Sequence, residues 1–246
     1  MSPALILAEN NRLNLDTLFY LPDTELCAHS EVQLQGQEAK HAARVLRKKV
    51  GDIIHLANGM GCKATGEITA VSKQSVSITI TEKESKARPV IQKVLGFGVI
   101  KKRDRFEFAI EKAVELGATT ICLFDAERSE RSRINKDRLD AIVQSAFKQS
   151  GRWWMPEIVT KNSLSDVLLD FADHEIIMAH EKKEVSANDF NISKSALLLV
   201  GPEGGFSQQE VETVEKTGGR IVSLGEHRLR AETAVTALLS QFLFTK

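Results

Sequence analysis

The second half of the chain alternates short apolar runs with amphipathic stretches, a pattern typical of an α/β protein. Runs rich in valine, isoleucine and leucine indicate strands buried on both faces, as in a mostly parallel sheet. The predicted strands are residues 90–100, 119–124, 156–159, 175–179, 196–200 and 220–224. Apolar residues three and four positions apart predict helices over residues 106–117, 139–147, 164–171, 207–218 and 234–244.

The first half is different, because residues 51–81 alternate apolar and polar positions in short runs. Strands over residues 52–57, 63–71 and 75–80, with Asn58-Gly59 as a turn after the first, predict a small β-barrel. The charged stretch 82–89 ends in proline and is the predicted linker. We therefore expect two domains, residues 1–82 and 90–246.

The predicted strand 196–200 stops at a glycine-rich segment, residues 201–205, with the sequence GPEGG. Three glycines and a proline demand a tight turn whose backbone other groups can approach closely. Ser207 then stands at a helix N-cap, and Glu210 completes an S-x-x-E capping box. A second loop begins at Gly225, after the next strand. Loops that follow successive strands are where an open α/β sheet binds ligands.

The glycine-rich segments match no known phosphate-binding motif. No Gly-Lys-Ser/Thr follows the GPEGG segment, and Lys101 stands where a dinucleotide fingerprint starting at Gly96 needs its third glycine. A backbone-lined pocket without a phosphate anchor suits a ligand held by its purine edge and by stacking. The alternative for one such loop is a sharp turn without a ligand, and two loops together favour a site.

Residues 37–50 are predicted to be helical and carry five basic side chains with no acid between them, namely Lys40, Arg44, Arg47, Lys48 and Lys49. Helical spacing places Ala42, Val45, Leu46 and Val50 roughly on one side. Basic side chains bind RNA phosphates independently of sequence, although a solvated helix face has the same composition. Trp153-Trp154 could stack on RNA bases, but we favour an interface or core position.

Composition narrows the functional classes. The 246 residues contain 33 basic and 33 acidic side chains, so any RNA site must be a local patch. The three cysteines are far apart and lack metal-ligand spacing, which favours reduced thiols and no metal site. There is no signal peptide and no apolar run long enough for a membrane span, so we expect a cytoplasmic protein.

Two C-terminal segments, residues 197–212 and 223–239, resemble a known family. Their patterns, GPEGG-F-S-x-x-E and L-G-x-x-x-L-R-x-E-T-A, are similar to signatures of the bacterial 16S rRNA uracil-N3 methyltransferases, which belong to the knotted SPOUT class. The stretch H-x-x-R-V-L-R-x-K-V-G-D from His41 and the tetrapeptide ending at Arg152 extend the resemblance over nearly the whole chain. Before that tetrapeptide, Lys148 replaces the glutamate usual in the family.

The resemblance implies an α/β fold with a C-terminal, trefoil-knotted SPOUT domain and an N-terminal PUA-like RNA-binding β-barrel. It implies a homodimer that uses S-adenosylmethionine to make 3-methyluridine in 16S rRNA of the small ribosomal subunit. Two alternatives stay open. One is a non-catalytic RNA-binding or assembly factor with the same fold, and the other is a methyltransferase with a different RNA target.

The resemblance also assigns site residues. The cofactor would lie against Met178, Ala179, Val200, Gly201, Gly204, Leu224, Gly225 and Leu229. RNA would contact Arg44, Arg47, Lys48, Lys49, Arg131 and Arg152. In uracil N3 methylation, Arg230 could donate a hydrogen bond to a developing oxyanion and Glu232 could accept the N3 proton. The alternative for Glu232 is favourable placement in the first turn of the last helix.

Overall fold

The computed structural model of the protein describes residues 18–130, 134–181 and 194–243. The chain divides into two compact units. The first comprises Met1–Arg88 and Phe147–Met155, and the second comprises Pro89–Ala146 and Pro156–Lys246. A short segment from the middle of the chain thus belongs to the N-terminal unit.

The N-terminal unit is built on a five-stranded sheet in the order β1-β3-β4-β5-β2. Its strands are β1 (Leu18–Tyr20), β2 (Glu31–Gln35), β3 (Ile53–Ala57), β4 (Cys62–Val71) and β5 (Ser75–Ser85). Strand β1 runs parallel to β3, and the other neighbours are antiparallel. The apolar alternation of β3, β4 and β5 places Ile54, Leu56, Ile68, Val76 and Ile78 in the core of this unit.

The predicted linker was wrong at its start, because residues 82–85 continue β5. Glu82 and Glu84 pair with Thr65 and Lys63 of β4, so their charged side chains belong to a strand. Strands β1 and β2 were not predicted. Strand β2 has the sequence EVQLQ and buries only its two apolar residues.

The predicted helix over residues 37–50 was wrong in length. It consists of α1 (Gly36–Lys40), followed by a π-helical turn over His41–Val45. The amide of Leu46 donates to the carbonyl of His41 at 3.0 Å, and Arg47 ends the turn with φ +52°. As a result Ala42 is buried, whereas Val45 is 68% exposed, so its predicted place on a buried apolar face was wrong. Val50 is likewise exposed.

The segment Phe147–Met155 completes the N-terminal unit through backbone and side-chain contacts. The amide of Gly61 donates to the Trp153 carbonyl at 2.9 Å. Lys63 is buried, and its Nζ donates to the Gly151 carbonyl at 2.7 Å and lies 4.4 Å from the Trp153 ring centroid. This burial lowers the pKa of Lys63. The Trp154 indole donates to the Lys86 carbonyl at 3.0 Å, so both tryptophans pack within this unit.

Lys148, which stands where the resemblance predicts a glutamate, has its own partner in the same unit. Its Nζ lies 2.6 Å from a carboxylate oxygen of Glu38. Both side chains are mostly buried, so each provides the other with a compensating charge. The substitution at residue 148 is therefore accommodated by an acidic residue on α1.

The second unit contains a six-stranded sheet in the order β11-β9-β10-β6-β7-β8. Every neighbouring pair in it is parallel. Its strands are β6 (Lys93–Gly98), β7 (Thr120–Phe124), β8 (Glu157–Lys161), β9 (Glu175–Ala179), β10 (Ala196–Val200) and β11 (Arg220–Val222). The helices are α2 (Arg103–Glu115), α3 (Lys136–Gln149), α4 (Leu164–Asp170), α5 (Gln208–Lys216) and α6 (Ala231–Ser240).

The core of this unit explains the apolar runs. All five residues of β10 and of β7 are buried, as a parallel strand covered on both faces requires. Leu197 and Leu199 join Val167 of α4 and Val214 of α5 in one cluster. The predicted last helix began too late, since α6 starts at Ala231. The α/β class with a parallel sheet is confirmed.

Candidate active site

The carboxyl ends of β9, β10 and β11 lie side by side, because these strands are parallel neighbours. The segments that follow them include residues 180–181, 201–206 and 223–230, and together they line a cavity of about 630 Å³. Arg105 from α2 and Arg128 from the loop after β7 complete the wall. This is the edge of an open parallel sheet at which ligands bind.

The glycine loop, residues 201–206, turns sharply from β10 into α5. Gly205 adopts φ +67°, a conformation that favours glycine. A Cβ atom on Gly201 would lie 3.2 Å from the Gly205 carbonyl carbon and from the Phe206 amide nitrogen. The loop therefore folds back closely on itself at Gly201.

The predicted capping box that ends this loop is confirmed. The Ser207 hydroxyl accepts from the Glu210 amide at 3.1 Å, and Glu210 accepts from the Ser207 amide at 2.8 Å. The second carboxylate oxygen of Glu210 accepts from the Glu127 amide at 3.1 Å. Because Glu210 is only 6% exposed, these bonds fix α5 against the loop after β7.

Three further groups hold the glycine loop from outside. A carboxylate oxygen of Glu203 accepts from the Lys101 amide at 3.2 Å, at the start of α2. Arg128 donates to the Gly204 carbonyl at 3.1 Å. Arg228 lies 2.8 Å from Glu181 and also donates to the Glu203 carbonyl at 3.3 Å, so it connects the segments after β9, β10 and β11.

Arg230 and Glu232 come together on the cavity wall where α6 begins. Arg230 is the N-cap residue of α6, and Glu232 lies in its first turn. The Glu232 side chain is 12% exposed, and one of its carboxylate oxygens lies 3.6 Å from Nε of Arg105. A carboxylate in the first turn also interacts favourably with the helix dipole, which is the alternative explanation for Glu232.

Most of the predicted cofactor-binding residues line the cavity. They are Ala179, Val200, Gly201, Gly204, Leu224, Gly225 and Leu229. Met178 does not line it, because its side chain is fully buried in the core cluster below. The proposed roles of all eight residues stay predictions.

The predicted RNA-binding residues fall mainly in the N-terminal unit. Arg44, Arg47 and Lys49 are exposed, while Lys48 is half-buried and donates to the Ile53 carbonyl at 3.0 Å. Burial lowers the pKa of Arg152 to about 10, which still leaves it charged at neutral pH. Arg131 lies outside the described residues.

Sequence reasoning assigned no specific role to Arg105, Arg128 or Arg228, although it placed Arg228 beside the glycine loops. Arg105 follows β6 and Arg128 follows β7, so both come after strands of the same parallel sheet. The position of a charged residue after each predicted strand is a signal that could have identified them. Their actual partners depend on the sheet order, which the sequence did not provide.

The cavity combines exposed backbone with aliphatic and charged walls. Val200, Leu224 and Leu229 can cover the faces of a flat ring system, and loop amides and carbonyls can contact its edge. Among residues 18–130, 134–181 and 194–243, no group of three or more His, Cys, Asp or Glu could hold a metal ion. The helices of the described ranges include none long and apolar enough to cross a membrane.

Comparison with protein families gives two matches. A model described as the RNA methyltransferase domain matches residues 86–243, and one described as the RNA methyltransferase PUA domain matches residues 34–81. These matches confirm the predicted fold class, an α/β domain with a parallel sheet preceded by a small PUA-like β domain.

Curated relatives and solved structures agree with these matches. The ribosomal RNA small subunit methyltransferase E of Bacillus subtilis (strain 168) is 31% identical over 223 residues, which cover 84% of this chain and 87% of that protein. Its Rickettsia conorii counterpart is 30% identical, over 89% of this chain and 92% of that protein. The Neisseria gonorrhoeae structure of that name, bound to S-adenosyl methionine, has a TM-score of 0.82 and 27% identity, covering 92% of this chain and 96% of that one. A Legionella pneumophila methyltransferase in complex with the bound cofactor has the same values.

Proposed function

The chain belongs to the ribosomal RNA small subunit methyltransferase E family, and from this membership we propose that it methylates N3 of a uridine in 16S rRNA with S-adenosylmethionine as the methyl donor. The observation that carries the proposal is the cavity at the carboxyl ends of β9, β10 and β11, with Arg230 and Glu232 on its wall. A purely RNA-binding role gives no reason for a pocket of small-molecule size beside these two side chains.

The pocket fits the proposed cofactor. Its volume of about 630 Å³ is in the range of small-molecule sites, and its glycine loops bring backbone close to a ligand. Gly201, Gly204 and Gly225 would contact the adenine edge, while Leu224 and Leu229 would cover its faces. Bound S-adenosylmethionine supplies an electrophilic methyl group on a sulfonium, and this transfer needs no metal.

The remaining chemistry concerns the uracil. N3 must lose its proton before its electron pair can bond to the methyl carbon, and negative charge then develops on the ring oxygens. We assign Glu232 as the group that accepts the proton and Arg230 as the donor that stabilises the charge. The exposed guanidinium of Arg230 offers several N–H donors for this purpose.

RNA affinity would come from cationic residues of the N-terminal unit. Arg44, Arg47, Lys48, Lys49 and Arg152 would bind phosphates, with Arg131 as a further contact. We retain two domains, residues 1–82 and 90–246, but transfer Phe147–Met155 from the second to the first. The homodimer and the cytoplasmic location also stay predictions.

Nucleoside mass spectrometry tests the proposal directly. The purified protein is incubated with S-adenosylmethionine and small ribosomal subunits that lack the modification, and the digested rRNA is then analysed. We expect new 3-methyluridine at one position of 16S rRNA. A different methylated nucleoside would contradict the N3 assignment, and a lack of methylation on every RNA offered would contradict enzymatic function.

A further inference from the structure

A second charged residue lies beside the proposed proton acceptor. Arg105 is in the first turn of α2, and Glu232 is in the first turn of α6. Both line the cavity, and Nε of Arg105 lies 3.6 Å from a carboxylate oxygen of Glu232. The two side chains are 31% and 12% exposed, so the pair is partly shielded from water.

The contact between Arg105 and Glu232 is an ion pair without a hydrogen bond. At 3.6 Å the contact is electrostatic and too long for a hydrogen bond. The guanidinium can therefore attract and orient the carboxylate while leaving its oxygens able to accept a proton. Within the described ranges, Arg105 is the only side chain paired with that carboxylate.

The start of α2, which carries Arg105, is connected to the glycine loop. The Glu203 carboxylate accepts from the amides of Lys101 and Lys102, which lie just before α2. Phe106, the next residue after Arg105, stacks on Phe97 of β6 with ring centroids 6.0 Å apart. Contacts thus connect the glycine loop to the start of α2, and Arg105 connects α2 to the Glu232 carboxylate on α6.

We propose that Arg105 is a positioning residue that holds the Glu232 carboxylate towards the substrate. The inference rests on the proposed function, because it assumes that Glu232 accepts the N3 proton. A purely structural role, in which the pair only joins α2 to α6, makes a different prediction for mutants. Loss of a structural pair would lower stability, whereas loss of positioning would lower turnover.

A double-mutant cycle separates the two roles. Arg105→Met, Glu232→Gln and the double variant are compared with the wild type for kcat and for KM of the RNA. Calorimetric affinity for S-adenosylmethionine and the melting temperature are measured in parallel. Arg105→Lys tests whether retaining the positive charge restores turnover. Arg103→Met is the control, since Arg103 lies on the same helix turn and is exposed to solvent.

We expect Arg105→Met to lower kcat at least tenfold, with cofactor affinity and melting temperature nearly unchanged. Arg105→Lys should recover part of the loss, and Arg103→Met should match the wild type in kcat. In the Glu232→Gln background, Arg105→Met should cause no further decrease. An equal decrease in both backgrounds, or one that follows the melting temperature, would overturn the inference while leaving the proposed function intact. Wild-type turnover in Glu232→Gln would instead reject the proposed role of Glu232.

Discussion

Arg230 shows how a single residue can serve both the chain and the site. Its backbone is extended and provides the N-cap of α6, while its side chain lines the cavity. Neighbouring Glu232 is mostly buried, whereas the Arg230 side chain is exposed. Arg230 is therefore suited to reach a substrate, whereas Glu232 is partly shielded from water.

Replacing Arg230 with alanine should reduce turnover strongly and leave cofactor binding intact. Loss of one donor to a developing oxyanion typically costs about a hundredfold in kcat. Steady-state methyl transfer measures the effect, and calorimetry measures the cofactor affinity. Arg103→Ala, which removes an equally charged side chain that does not line the cavity, should have wild-type kcat. Comparable activities in the two variants would remove Arg230 from the chemistry.

Gly201 lies where the glycine loop folds back on itself and leaves little room for a side chain. Gly201→Val places side-chain atoms within contact distance of the Gly205 and Phe206 backbone, so the loop must open and the affinity for S-adenosylmethionine should fall at least tenfold. Gln209→Val is the control, because it introduces the same side chain at an exposed position of α5 that does not line the cavity. Calorimetry on both folded variants checks this. Equal affinities would place the cofactor away from Gly201.

Helices and strands that are specified by residues close in sequence were predicted, whereas features that depend on distant residues were not. The capping box of α5 and the apolar runs of β7, β9 and β10 involve residues close in sequence, so these elements were predicted. The charged end of β5 and the π-helical turn after α1 depend on pairing and packing with distant residues. For the same reason the contact between Arg105 and Glu232 could not be predicted from the sequence.

Helices α2 and α3 are joined by a charge cluster that should respond to pH. Hydrogen bonds from Arg138 of α3, and then from Arg103, lower the pKa of Glu107 from 4.5 to about 2. Since the folded-state pKa is depressed, the stabilisation is complete above pH 4.5 and is lost as the pH falls towards 2. Both arginines are well exposed, so its magnitude at neutral pH should be about 1 kcal/mol or less.

Urea unfolding of Glu107→Gln and of the wild type at about pH 7, 5, 4 and 3 tests this, because Glu107 becomes protonated in the lower part of this range. The difference in unfolding free energy from the wild type should shrink at the lower pH values. Glu212→Gln, on the exposed face of α5, controls for the removal of one negative charge. A difference that stays constant with pH would rule out the ion-paired cluster as its source.

At the scale of the whole molecule, the two units are not two consecutive pieces of chain. The N-terminal unit includes Phe147–Met155, which contributes the Phe147 ring packed 5.5 Å from Tyr20 and the ion pair to Glu38. Composition and linker signals are read along the chain, so they locate a boundary near residue 88 but cannot show this return. The sheet order of the second unit was equally inaccessible, since it joins strands far apart in sequence.

Residues 1–88 expressed alone should therefore be less stable than the same residues fused through a flexible linker to residues 147–155. The fragment loses the Lys63–Gly151 hydrogen bond, the Trp154 indole hydrogen bond and two backbone hydrogen bonds. A loss of a few kcal/mol would lower the melting temperature by about 10 °C or more. Circular dichroism melting curves of both proteins measure the difference. Identical transitions would show that the segment is dispensable for this unit.

The central position of β6 has a consequence for how the protein is made. β7 and β8 follow it in the chain and can pair on one side during synthesis, but its other neighbour is β10, which begins about a hundred residues later. Until β10 emerges from the ribosome, the nascent chain displays an open, apolar strand edge that can pair with other chains. Stalling translation before residue 196 should therefore yield an aggregation-prone product, and an enzyme that modifies ribosomes would depend on their uninterrupted elongation for its own solubility.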